Sequence, residues 1–183
     1  MFYFSTRDII DKSILKYKKG IYYEEQKDYE KSYNYFLQSA SLGESYACNK
    51  VGELERAKGN YKLAYTYYNK ALDSTYRETT LWAYYNLAKY YYLTGNLETN
   101  IIKDTNKAIG YFEKSSRLIS SLIELLYIYY EIYLDNHNTN SKEKCLFYKD
   151  LIEQHKDYND TIKKNIEDKI KNIKKIDKIN LPI

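Results

Sequence analysis

Proline is almost missing from this chain. Its 183 residues contain one, Pro182, and only six glycines. With so few breakers, long stretches are free to be helical. Cysteine is scarce too: Cys48 and Cys145 stand far apart, which excludes a disulfide framework and fits a reducing, cytoplasmic setting. No apolar run approaches the roughly 20 residues of a membrane span, so no membrane is expected. The stretch MFYFSTRDIIDK has neither a basic segment nor a long apolar one, so it does not read as a secretory leader.

The groups that carry chemistry are equally thin. There are two histidines, His137 and His155. Neither has a second ligand at helical spacing, so no zinc site is expected. Asp135-Asn136-His137-Asn138 touches on a calcium loop but lacks the central glycine, and Leu146 stands where a closing glutamate belongs. The cysteines lie in apolar helical contexts without a histidine partner, and no glycine-rich phosphate loop is present. Carboxylates are spread along every helix as solvated faces. The expectation is therefore a protein that is not an enzyme, with no metal and no cofactor.

Charge is abundant in both signs and nearly balanced, at +4, which argues against nucleic acid as the main partner. The conspicuous excess is 25 tyrosines. They read either as an aromatic binding surface or as the mark of an AT-rich genome, given the surplus of Lys over Arg. Where they sit has to decide.

The chain repeats itself. YEKSYNYFLQSA, from Tyr29, returns as YKLAYTYYNKAL, from Tyr61, and again as NKAIGYFEKSS. Ser32, Ala64 and Ala108 share one column; Phe36, Tyr68 and Phe112 share another. A helical segment precedes each copy: ILKYKKGIYYEEQKD, YACNKVGELERAKGN and YYNLAKYYYLTGN. Gly20, Gly52 and Ala88 align there. Glycine within a helix costs about 1 kcal/mol relative to alanine, so Gly20 and Gly52 predict a close approach by the backbone of the partner helix. Gln26-Lys27-Asp28 and Lys58-Gly59-Asn60 predict short turns between antiparallel helices.

Helix pairs of about 34 residues with alternating small and aromatic positions resemble the tetratricopeptide repeat. The third unit is similar to the related Sel1 repeat, with a glycine-led loop, Ile102, Asp104, Lys107-Ala108, an aromatic pair and a closing lysine. The chain departs from the pattern in lacking the proline that often ends a unit, in Lys16 and Lys19, and in Glu55 where an aromatic is usual. The resemblance implies an all-α, right-handed α-α superhelix (a solenoid) of about three to four helix pairs plus a C-terminal capping helix.

Residues 1–154 are assigned to the array, with units at about 13–44, 45–78 and 81–118 and a degenerate fourth at 119–154. In the fourth, SSLIELLYIYYEIYLDN and EKCLFYKDLIEQH flank a polar loop, HNTNSK. Residues 155–183 form a basic amphipathic helix. There Ile162, Ile166, Ile170, Ile173 and Ile176 recur at spacings of four and three, which suits a cap over the last repeat. Self-association and an acidic partner are the other readings of that stripe.

In the family that this chain resembles, the first helices line a concave groove that holds a peptide. Carried over, that face comprises Tyr17, Ile21 and Glu24; Tyr46, Asn49, Lys50, Glu53 and Arg56; and Trp82, Tyr85, Asn86, Lys89 and Tyr92. Rings would bury apolar side chains, asparagines would hold peptide backbone and cations would meet a carboxylate. The expected function is a scaffold or adaptor for another protein or peptide. The alternatives are a peptide-responsive regulator and, through the lysines of the tail, a nucleic-acid binder. The sequence leaves the oligomeric state open.

Overall fold

The computed structural model describes residues 5–93 and 104–177, with side chains to Lys171 apart from that of Leu93. Every element among them is a helix: α1 (Thr6–Glu25), α2 (Tyr29–Ser41), α3 (Ser45–Ala57), α4 (Tyr61–Leu72), α5 (Arg77–Leu93), α6 (Thr105–Lys114), α7 (Ile119–Asn136), α8 (Thr139–Glu153) and α9 (Asp160–Asp177). The helices belong to two compact units, Met1–Lys114 and Ser115–Ile183.

Short polar side chains set where several of these helices begin. Ser5 and Asp8 form a reciprocal box: the Asp8 amide donates to Ser5 Oγ (3.1 Å) and the Ser5 amide to Asp8 Oδ2 (3.0 Å). Asp28 accepts from the Lys31 amide at 3.1 Å, and Asp104 from the Lys107 amide at 2.9 Å. Each satisfies a donor that the first turn would otherwise leave open.

In the first unit α1–α6 pack as successive antiparallel pairs, with α3 also against α5. The repeat columns explain the fit. Ser32, Ala64 and Ala108 are buried, and Phe36, Tyr68 and Phe112 have no exposed surface. A fully buried ring of this size contributes about 1.5–3 kcal/mol. The expectation that a backbone approaches Gly20 and Gly52 needs correction, because side-chain rings do. A Cβ on Gly20 would lie 2.5 Å from Phe36 Cδ1, and one on Gly52 would lie 2.6 Å from Tyr68 Cδ1. The glycine of the first helix is the socket for the aromatic of the second.

The two predicted turns fall where the sequence places them. Both reverse through a left-handed residue at the same repeat position, Lys27 (φ 61°) and Gly59 (φ 83°). Lys16 and Lys19 depart from the repeat pattern because Tyr35 accommodates them. Their ammonium groups lie 5.9 and 5.6 Å from its ring, and Lys16 also donates to Gln38. The loop segment of the Sel1-like third unit that includes Ile102 lies outside the described residues.

In the second unit α7 and α8 form the expected fourth pair, with Tyr129 stacked on Tyr148 at 5.6 Å. The polar loop is shorter than HNTNSK suggested. His137 ends α7 in a left-handed conformation, and Asn138 already caps α8 by accepting from the Ser141 amide at 2.7 Å. His155 accepts the Asp157 amide at Nδ1 (3.1 Å), so Nε2 carries the proton and donates to Arg117 O (3.0 Å). Asn159 caps α9, and the Lys169 ammonium lies 3.8 Å from the Tyr127 ring of α7. Ile173 and Ile176 of the predicted stripe have side chains outside the described residues.

Candidate functional site

The carried-over residues sit on three helices of the first unit: Tyr17 and Glu24 on α1; Tyr46, Asn49, Lys50, Glu53 and Arg56 on α3; and Trp82, Tyr85, Asn86, Lys89 and Tyr92 on α5. Side-chain contacts run from helix to helix along them. Between α1 and α3 the rings of Tyr17 and Tyr46 are 5.9 Å apart, and Lys50 pairs with Glu24 at 3.1 Å. Between α3 and α5 the Asn86 amide donates to Glu53 Oε1 at 3.3 Å, and Asn49 donates to the Thr79 carbonyl at 3.0 Å. Trp82 and Tyr85 meet edge to face at 5.6 Å. The first helices of successive units therefore share one continuous, chemically linked face.

Two asparagines on that face do not present their amides to solvent. Asn49 and Asn86 are each only 6% exposed. A buried amide has to find partners inside the protein; the NH2 group of each finds one on the neighbouring helix and joins α3 to α5, while the buried Asn49 Oδ1 has no hydrogen-bond partner among the described residues. Arg56 lies on the α4 side, beside Tyr68. Burial pushes the Tyr68 phenol up to about 12, and the Arg56 guanidinium opposes that rise. Tyr92 is half-buried near the end of α5.

What remains accessible is a set of half-buried groups: Tyr17, Tyr46, Trp82 and Tyr85 as rings, with Lys50 and Lys89 as cations. The Lys89 ammonium lies 5.3 Å from the centre of the Tyr85 ring. Burial raises the Tyr17 phenol above its ordinary value, with Glu24 and Glu44 adding to the effect. Tyr76 continues the aromatic row from Tyr46 at 6.5 Å. It precedes α5 and falls outside the repeat columns, so no periodicity pointed to it.

Sequence reasoning also missed the role of Glu55. Its carboxylate is 2% exposed and accepts from Tyr33 Oη (2.6 Å), Lys58 Nζ (3.0 Å) and Asn60 Nδ2 (2.7 Å). Burial pushes its pKa up, but the bonds from Tyr33, Asn60 and Lys58 outweigh burial and leave it lowered. The residue that departs from the repeat pattern is thus a staple joining α2, α3 and the turn into α4.

Many of the tyrosines turn out to be packing residues. Tyr23 stacks on Tyr35 at 5.4 Å, Tyr91 on Tyr111 at 5.7 Å, and Tyr65 meets Tyr90 at 5.1 Å. The thiols are poor nucleophiles, since burial pushes both Cys48 and Cys145 up to about 11. Among the described residues no group of three or more His, Cys, Asp or Glu is placed to hold a metal ion. No described helix is long and apolar enough to cross a membrane.

Comparison with known proteins agrees with this architecture. The Sel1 repeat model matches residues 17–44, 45–76 and 83–119, slightly more than half of the chain. No curated protein matches it significantly. Sel1 repeats form all-α solenoids and generally serve as protein–protein interaction modules. With three consecutive repeats in register over α1–α6, the chain belongs to the Sel1 repeat family.

Proposed function

We propose that this protein is a non-enzymatic scaffold or adaptor that binds a peptide segment of a partner on the shared face of α1, α3 and α5. The observation that carries the reading is the alternation, on that face, of accessible rings with accessible cations. Tyr17, Tyr46, Trp82 and Tyr85 offer flat apolar surface, and Lys50 and Lys89 offer charge beside it. Rings with few rotatable bonds anchor apolar side chains at low entropic cost, and ammonium groups favour a peptide with an acidic residue or a free carboxylate. Asn49 and Asn86 enter as the framework that keeps the rings in register, since both amides already bond between helices.

Trp82 is the only tryptophan, so its emission reports on this face alone. Acidic peptides selected from a random library on the intact protein should shift that emission on titration. Measured by the polarisation of dye-labelled peptides, which does not need the tryptophan, Trp82→Ala with Lys89→Ala should weaken their binding about tenfold or more in a variant that still melts cooperatively, if each lost contact is worth roughly 1 kcal/mol. Selected peptides that bind the folded double variant as tightly as the parent would move the site off this face.

A further inference from the structure

The second unit carries a half-open space that the repeat architecture does not require. Between α7, α8 and α9 lies a cavity of about 480 Å³. Its most deeply buried lining is Leu126 and Tyr130 of α7 with Ile152 of α8, and α9 contributes half-buried Ile166 and Ile170. Its apolar walls give water few bonds. A space of this size falls instead within the range of small-molecule pockets, which favour the gaps between helices of a bundle.

Charge collects among the more exposed lining residues and is unequal. Lys142, Lys149 and Lys163 outnumber Glu153 and Glu167. Lys149 also leans on Glu153, at 3.9 Å. The excess is cationic, and it borders a lining that is otherwise aliphatic and aromatic.

We propose that this cavity binds a single-chain amphipathic anion of the fatty-carboxylate class, its tail among Leu126, Ile152, Ile166 and Ile170 and its head toward Lys142 and Lys163. The apolar depth recognises the chain, and the lysine surplus selects a negative head over a positive one. The site belongs to the second unit and does not depend on peptide binding by the first.

Cys145 lines the same cavity and is half-buried, whereas Cys48 is 3% exposed. Burial keeps the Cys145 thiol slow, so its labelling by excess maleimide at mildly alkaline pH, followed by peptide mass mapping, reads occupancy in the full chain. Dodecanoate below its micelle concentration should slow that labelling at least about fivefold, saturably, as a ligand present in excess of its dissociation constant does. Dodecyltrimethylammonium at equal concentration should protect much less. Lys142→Gln with Lys163→Gln, compared with its own labelling rate without ligand, should lose protection about fivefold or more, as expected for two charge contacts of roughly 0.5–1 kcal/mol each.

Results of three kinds would each overturn the proposal. One is labelling that dodecanoate leaves unchanged. Another is equal protection by the ammonium amphiphile, or undiminished protection in the folded double variant. The third is protection by raised protein concentration alone, or by phosphatidylglycerol vesicles but not monomeric dodecanoate, which would make the face a self-contact or a membrane contact.

Discussion

The smallest residues on the repeat faces carry some of the strictest demands. Gly52 leaves room for the Tyr68 ring, and even one added methyl would overlap it. Gly52→Ala should therefore destabilise the protein by about 1–3 kcal/mol in chemical denaturation, through overpacking. Gly59→Ala should cost about 1 kcal/mol for a different reason: φ is 83°, where a side chain is strained. Lys27 holds the equivalent position with φ 61°, so Lys27→Gly should be neutral or raise stability by up to about 1 kcal/mol. Glu55→Gln should cost about 1–3 kcal/mol at neutral pH, because it weakens acceptance from three donors at a buried site. The folded pKa of Glu55 is lowered below the ordinary 4.5. Its contribution is therefore present above that value and lost as pH falls. Denaturation of parent and variant should accordingly converge in acid.

At the scale of elements, the first helices do two jobs at once. One side of α3 receives the ring of α4, and another carries Glu53 and Asn49 toward α5. α9 has a looser bond to its neighbours: Lys169 lies over Tyr127, and Ile166 and Ile170 face a cavity rather than a filled core. Those isoleucines lie across that space from Leu126 of α7 and Ile152 of α8. Removing residues 161–183 should therefore lower the melting temperature and increase aggregation, read by differential scanning fluorimetry and light scattering. A truncated chain that melts and scatters like the parent would show that α9 contributes no cap. Folding of the hairpins should tolerate its loss, because their contacts are local in sequence.

For the whole molecule, the abundance of tyrosine has a consequence in alkali. Burial pushes Tyr68, Tyr127 and Tyr33 up to about 12 from an ordinary 10.0. Their unfolded counterparts ionise first, so the stability they contribute is full below pH 10 and drains away as pH rises to about 12. For the fully buried Tyr68 this amounts to roughly 2–3 kcal/mol at most, with half-exposed Tyr33 contributing less. The thiols of Cys48 and Cys145, raised to about 11, act in the same direction. Denaturant midpoints should be level up to about pH 9.5 and then fall, while phenolate absorbance rises in step with unfolding.

Periodicity alone determined the helix pairs, their order and their turns. A pattern of small and large residues at helical spacing can be satisfied only by burying one helix face against the next. It marked Gly20 and Gly52 as points of close approach to a partner helix's backbone; that the rings of Phe36 and Tyr68 fill those sockets emerged only from tertiary structure. What each polar side chain does was decided only by tertiary structure. Asn49 and Lys50 are neighbours on one helix and look alike as binding residues in sequence. They lie about 100° apart around α3, and the helix is turned so that the first is buried against Thr79 and the second stays at the surface beside Glu24. The same holds for Glu55, an apparent defect that proved to be a staple once Tyr33 and Asn60 came within reach. The cavity of the second unit lay beyond sequence altogether. A void depends on the distance between helix axes, and the isoleucine stripe of α9 would read the same whether its side chains met a filled core or an open one.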